Sequence, residues 1–271
     1  MRWISKFIII LFLVTGLFAE EEEEEEYNRK FEIGARMGSG YHPKDKFEND
    51  LGTYRSLNNT FTPSFTNLSP FRKTTNTEFF ARVRWSDRWK GGVLFGNTGF
   101  ENFRLEEIDQ ALAYSKLNFR MDTDFLLLTV YYEWKFNKYF IDFGGGMGVN
   151  NTGIKTNGYI ISARNSIYEQ EGTLVGNGLA YRLESSLSRS ITENILLQVG
   201  VSGSVVTAPY FSGSLNGESG SFYIRADGTV AGLNQAEFTS SLASTNFASR
   251  RLDMVYGYGQ IFVGTVYRFG F

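Results

Sequence analysis

FVGTVYRFGF, residues 262–271, has two faces. Phe271, Phe269, Tyr267, Thr265 and Val263 share one parity, and Gly270, Arg268, Val266 and Gly264 share the other. Period-two alternation marks a β-strand whose sides meet different surroundings. Large exposed rings at a fraying terminus gain little from water, so the apolar side implies a different solvent.

The same alternation recurs upstream. It is found at about Arg29–Tyr41, Thr77–Ser86, Trp89–Thr98, Thr123–Trp134, Tyr139–Val149, Leu179–Arg189 and Ile195–Val206, and the terminal stretch reaches back to about Met254. Eight strands are therefore predicted. In the fourth, Leu126, Leu128, Val130, Tyr132 and Trp134 alternate cleanly, whereas Phe119, Met121 and Phe125 take the other parity. Two explanations remain open: a bulge near Leu126, or an upper part that stands clear of the apolar layer.

The connections alternate in length. Ser86–Arg88, Lys135–Lys138 and Ser190–Asn194 are short, whereas about His42–Asn76, Phe100–Asp122, Asn150–Gly178 and Thr207–Asp253 are long. Structureless loops of that size are uncommon in a compact soluble domain. In hydrocarbon every backbone polar group must be paired internally, so a sheet there closes on itself. The expected fold class is all-β: an eight-stranded antiparallel transmembrane β-barrel with short periplasmic turns and four long extracellular loops. Trp85, Trp89, Trp134 and Tyr139 fall near the short turns and are expected to form an aromatic girdle at the headgroups.

Composition narrows the function. The 271 residues carry a net charge of −2, no cysteine and one histidine, His42. Disulfides, thiolate chemistry and a histidine-rich metal site are excluded. No basic stripe supports nucleic-acid binding, and no metal or cofactor is implied. At the start, Arg2 and Lys6 precede the apolar run Phe7–Val14, followed by Gly16 and Ala19. Residues 1–19 read as a secretory signal peptide. A membrane anchor needs about 20 apolar residues, and Glu20–Glu26 cut this run short. Leu17 is large for its place before Ala19, so cleavage after Gly16 stays open. Dense like charge stays disordered, so residues 20–28 read as an acidic periplasmic tail and 29–271 as the barrel.

This layout, from about Arg29 to the ending Tyr267-Arg268-Phe269-Gly270-Phe271, resembles the small eight-stranded outer-membrane β-barrel proteins, the class of OmpX, OmpW and the membrane domain of OmpA. The resemblance implies residence in the bacterial outer membrane, among lipid and lipopolysaccharide. It also implies that Phe271, Phe269 and Tyr267 form the signal read by the barrel-assembly machinery. It is specific for location and weak for activity.

The inward face of these strands carries Glu32, Arg36, Glu78, Arg82, Arg84, Lys90, Glu133, Asp142, Arg182, Glu184 and Arg268, six basic and five acidic residues. An eight-stranded barrel is just wide enough for side chains to fill it or for one small ligand. Buried charges are costly unless paired, so near balance favours a salt-bridge plug over a narrow or gated pore. Gly144, Gly146, Gly148, Gly200 and Ser202 are expected to leave room for the arginines. Gln260 is placed inward with Arg268, which is expected to reach a carboxylate on a neighbouring strand.

Enzymatic activity has one candidate, His42, with Ser39, Asp45 and Glu48 near it in sequence. A nucleophile–base pair requires contact, and a polar loop histidine is ordinarily solvated, so a non-enzymatic protein is expected. The loops are the expected working surface, facing an extracellular ligand of unknown chemistry. In Phe103–Leu117, Leu105, Ile108 and Leu112 fall at helical spacing, which suggests a short amphipathic helix or packing on neighbouring loops. Asp227-Gly228 between β-formers signals a hairpin. Phe47, Phe61, Phe65 and Phe71 are candidates to cap the barrel mouth or anchor a partner. Two functions follow: a structural and surface-interaction protein, or a narrow channel or transporter for a small solute. A filled, charged lumen favours the first, and a continuous apolar or wet cavity the second.

Overall fold

The computed structural model describes residues 31–44, 50, 54–55, 63–69, 72–109, 114–161, 164 and 166–269. The leader, the acidic tail, Asp45, Phe47, Glu48, Phe61, Phe71 and Phe271 lie outside them, as does the side chain of Phe65.

Eight strands make the barrel: β1 (Phe31–Tyr41), β2 (Lys73–Arg84), β3 (Trp89–Phe100), β4 (Tyr114–Phe136), β5 (Tyr139–Ile161), β6 (Ile167–Ser190), β7 (Ile195–Pro209) and β8 (Asp253–Phe269). Each is antiparallel to the next. β8 returns to β1, with Phe31 opposite Phe269 and Tyr41 opposite Gly259, and so closes the ring. Closure leaves no unpaired edge in the lipid-facing part. Two residues, Asn137 and Lys138, join β4 to β5, and Asn137 takes a positive φ of 53°, a left-handed conformation that asparagine tolerates in hairpin turns.

Burial along the strands is inside-out relative to a soluble protein. Leu183 is 69% exposed and Ile261 64%, whereas Glu78 has no exposed surface. Phe79, Val93, Leu128, Phe143, Val199 and Val263 also face outward, which gives the apolar exterior of a transmembrane barrel. Trp85, Trp89, Trp134 and Tyr139 are exposed at the turn end of this band.

Four expectations are resolved or corrected. First, of the two explanations left open for the fourth strand, the bulge is excluded and the upper part standing clear of the apolar layer holds: the pairing of β4 with β5 runs unbroken from Phe136–Tyr139 to Tyr114–Ile161. Phe119, Met121, Phe125 and Leu127 simply point inward and are buried. Above the bilayer the outside of the wall is wet and the inside is dry, so the apolar parity reverses without any break in the strand. Second, residues 150–178 are largely not a loop, because β5 continues to Ile161 and β6 starts at Ile167. Third, no helix forms over Phe103–Asp109, which is a strand paired with the outer part of β4. Leu105 is buried while Ile108 is partly exposed, so strand alternation overrides the short helical spacing. Fourth, the atoms nearest to a Cβ on Gly144 or Gly200 include backbone and aromatic rings and no arginine. A Cβ on Gly144 would lie 2.8 Å from the Tyr131 ring, and one on Gly200 would lie 2.4 Å from the Phe262 ring.

A tall wall rises on one side of the barrel. Strands Pro63–Ser69 and Phe103–Asp109 extend it beyond β4. Ser212–Leu215, Glu218–Arg225 and Val230–Asn234 extend it beyond β6, and the last two form the hairpin signalled by Asp227-Gly228. Helix α1 (Gln235–Ser241) follows, closed by a capping box in which the Asn234 side chain accepts from Glu237 N and the Glu237 side chain accepts from Asn234 N. One face of this hairpin adds Phe222 and Val230 to the barrel's apolar core. The other face, Tyr223, Ala231 and Leu233, is covered by Phe238 of α1, whose ring stacks on Tyr223 at 4.6 Å.

Candidate functional site

The lumen has two storeys, and the inward parity of the strands builds both. All eleven inward charges named from the sequence are buried at its turn end. The upper cluster centres on two carboxylates. Glu184 on β6 accepts two parallel bonds from Arg36 on β1, Nη1 to Oε1 at 2.9 Å and Nη2 to Oε2 at 2.7 Å, the bidentate geometry that makes guanidinium–carboxylate pairs strong. It also accepts from Arg182 Nε at 2.9 Å and from Arg82 Nη2 at 3.4 Å. Glu78 on β2 accepts from Arg36 Nε, from Arg182 Nη1 and from Asn76 Nδ2.

The lower cluster lies nearer the short turns. Lys90 Nζ sits 3.1 Å from Glu32, 2.8 Å from Glu133 and 2.9 Å from Asp142. Arg268 donates from Nε to Glu32 at 2.8 Å and from Nη2 to Glu133 at 2.6 Å. Arg84 donates to Glu133 and to the carbonyl of Asp87. Arg82 links the two clusters, its Nη1 lying 3.7 Å from Asp142. Together these contacts join β1, β2, β3, β4, β5, β6 and β8 through side chains alone.

Aromatic faces complete the packing. The Arg82 guanidinium lies between the rings of Phe80 and Tyr131, 4.2 Å and 4.0 Å from their centroids. Arg36 lies 4.2 Å from the Phe262 ring and Arg268 lies 4.1 Å from that of Phe140. Desolvated cation–π contacts of this kind contribute about 2 kcal/mol each. These rings were missed as partners of the charges, although their inward parity was readable in the sequence.

Above the charges the lumen turns apolar. Phe100, Phe103, Phe119, Met121, Phe125, Ile154, Leu174, Phe211, Phe222, Leu252 and Met254 form one core across the mouth. Within it the Tyr256 hydroxyl is paired, its Oη lying 2.6 Å from Thr123 Oγ1 and 2.7 Å from Thr152 Oγ1. His42 belongs here and not to a solvated loop. It is fully buried, edge-on to Phe100, and its Nδ1 lies 2.7 Å from the Gly257 carbonyl. A carbonyl can only accept, so Nδ1 is the donor. Ser39 sits on the outward face of β1 and donates to the Thr74 carbonyl, so the barrel wall stands between it and His42. Among the described residues no group of three or more histidine, aspartate or glutamate side chains is arranged to hold a metal ion.

Similarity to known proteins is confined to shape. No family model and no curated protein matches the chain. The outer membrane protein OprG from Pseudomonas aeruginosa is similar at 14% identity and a TM-score of 0.40, over 90% of this chain and 97% of that one. The outer membrane protease OmpT from Escherichia coli is similar at 7% identity and a TM-score of 0.41, over 92% and 99%. Ail, the attachment invasion locus protein of Yersinia pestis, in complex with the heparin analogue sucrose octasulfate, is similar at 12% identity and a TM-score of 0.34, over 89% and 99%. The ring of eight antiparallel strands, closed by β8 on β1, defines the fold.

Proposed function

We propose that this chain is a non-enzymatic protein of the bacterial outer membrane that works by contact: a closed barrel holding a tall extracellular wall and a folded fourth loop rigidly above the lipid. One observation carries this reading. Within the barrel most inward side chains are buried, first as paired charges at the turn end and then as packed rings at the mouth, while Tyr168 near the tip of β6 is exposed. Ions bound this tightly to one another are a plug, and an apolar core above them adds a second barrier. The burial of His42 behind the wall from Ser39 supports the non-enzymatic part. The partners of this reading are outer-membrane lipid and lipopolysaccharide around the apolar band, and an extracellular molecule at the wall. The barrel-assembly machinery would act through Tyr267, Phe269 and Phe271, while Trp85, Trp89, Trp134 and Tyr139 seat the barrel at the periplasmic headgroups.

The test is conductance. The purified protein in planar bilayers is expected to pass no steady current, and reproducible single-channel steps would overturn the closed lumen in favour of a narrow channel. Replacing residues 212–251 by a short Gly–Ser linker is expected to leave an assembled barrel that has lost its surface-binding phenotype.

A further inference from the structure

Between the ion clusters and the apolar core lies a band of buried polar side chains that joins the upper cluster through Arg182 and Asn76. Asn76 Nδ2 and Arg182 Nη1 both donate to Glu78 Oε1, each at 2.6 Å, so the two side chains converge on one carboxylate oxygen. Arg182 Nη2 and Asn76 Oδ1 are left without a hydrogen-bond partner, as are both amide atoms of Gln260, Ser202 Oγ and Thr74 Oγ1. All five residues are more than nine-tenths buried. The register brings three of them into one row, with Gln260 opposite Ser202 on one side and Gly40 on the other, and Gly40 opposite Thr74; Arg182 and Asn76 lie one step along their strands, opposite Ser204 and Gly38. Two glycines of β1 open the space. A Cβ on Gly40 would lie 2.6 Å from both Gln260 Cγ and Thr74 Oγ1, and one on Gly38 would lie 2.3 Å from Asn76 Oδ1.

Charge indicates what this band accommodates. The lower cluster sets three cations, Arg84, Lys90 and Arg268, against three carboxylates, Glu32, Glu133 and Asp142. The upper cluster sets three guanidiniums, Arg36, Arg82 and Arg182, against two carboxylates of its own, Glu78 and Glu184, and Arg82 also lies 3.7 Å from Asp142 of the lower cluster, so over the whole network six cations face five carboxylates. A buried charge without its counter-charge is strongly unfavourable. The rings flanking Arg82 offset part of this excess, but a ring quadrupole is weaker than a full counter-ion. Water would satisfy the hydrogen bonds and leave the charge, whereas a small anion satisfies both. We propose that the mid-lumen binds one small monovalent anion of halide size, held by Arg182 Nη2, Gln260 Nε2 and Ser202 Oγ. Water accompanies it and donates to Asn76 Oδ1 and Gln260 Oε1. The site is independent of the surface role proposed above.

The test is to purify and crystallise the protein in sodium bromide and measure anomalous diffraction. One bromide peak is expected in contact with Arg182, Gln260 and Ser202, and its loss is expected in a Gln260→Leu, Ser202→Ala double variant. Ordered water at those atoms with no anomalous peak, or bromide on the outer surface only, would overturn the proposal. Urea unfolding in micelles provides a check without crystals. The wild-type midpoint is expected to be higher in chloride than in gluconate at equal ionic strength, and the difference is expected to shrink in Ser202→Ala, which also serves if the double variant does not fold. Equal midpoints in the two salts, or an undiminished difference in the variant, would count against the site.

Discussion

Arg182 and Glu78 meet across the lumen: Nη1 on β6 donates to Oε1 on β2 over 2.6 Å, between strands on opposite sides of the ring. Backbone pairing ties each strand only to its two neighbours. The buried carboxylates tie strands that never touch, so the lumen resists flattening in a way that the hydrogen-bonded wall does not.

Glu184 therefore tests the network. Glu184→Ala removes the acceptor shared by Arg36, Arg82 and Arg182 and leaves buried cations behind. Breaking a buried pair from one side costs about 3–5 kcal/mol, read as a lower urea midpoint in detergent. A Glu184→Leu, Arg36→Met double variant is expected to lose less than the sum of its two single variants. Additive losses would mean that the pair is not coupled.

The lipid boundary on β6 is testable with two outward arginines. Leu183→Arg lies within the apolar band and is expected to cost about 2–4 kcal/mol in a bilayer. Asn177→Arg, six residues nearer the tip on the same face, is expected to stay within about 0.5 kcal/mol of wild type. Equal costs would place the boundary elsewhere.

The cap over the mouth is expected to fail locally. Phe222 is fully buried and its ring centroid lies 5.9 Å from that of Phe211. Phe222→Ala is expected to cost about 3–5 kcal/mol of packing, but limited proteolysis should find the new cleavages within residues 212–251 while the eight barrel strands stay protected. New cleavages within the barrel strands as well would show that cap and barrel unfold as one unit.

Substituting Tyr267, Phe269 and Phe271 together by alanine separates assembly from stability. Phe269 stacks on Phe31 at 5.7 Å, and such a pair contributes about 0.5–1.5 kcal/mol. The refolded variant should lose no more than a few times that amount, whereas insertion in cells should fall severalfold. Insertion that declines only in step with stability would remove the signal role.

The membrane-facing part of the fold was legible because a strand between lipid and lumen must alternate. Glu78, Phe79, Phe80, Ala81 and Arg82 show this within five residues, and all take the face that their parity requires. The extracellular part was harder to read because its rule is the reverse. From Phe125 outward, β4 hides Met121 and Phe119 inside and sets Asp124, Asp122 and Arg120 outside, as a soluble sheet does. The reversal was visible as conflicting parity in the fourth strand, and the cue was the switch from outward leucines to outward aspartates and arginine near Asp124. The charged residues of the lumen were legible one by one. One partner was legible too: Arg268 reaches Glu32 on the neighbouring strand β1, as its position implied. The cross-lumen partners were not, because Arg182 and Glu78 stand 104 residues apart and their contact is set by barrel stagger, which no local pattern records. His42 was misread for a related reason: its surroundings, Gly257 and Phe100, come from distant strands.

The uneven rim has a consequence in the plane of the membrane. β4 and β5 each run 23 residues and β6 runs 24, about 75 Å of chain at the usual strand rise, whereas β1 spans 11 residues and β2 spans 12. A protein afloat in a bilayer turns freely about the membrane normal, yet this one has a heading. On the side of β4 to β6 it presents a parapet that a neighbour meets well above the headgroups, and among the described residues the side of β1 and β2 stands low. Among the described residues, the first part of this protein that an approaching surface would meet is therefore the tall flank, and β1 and β2 would be met last.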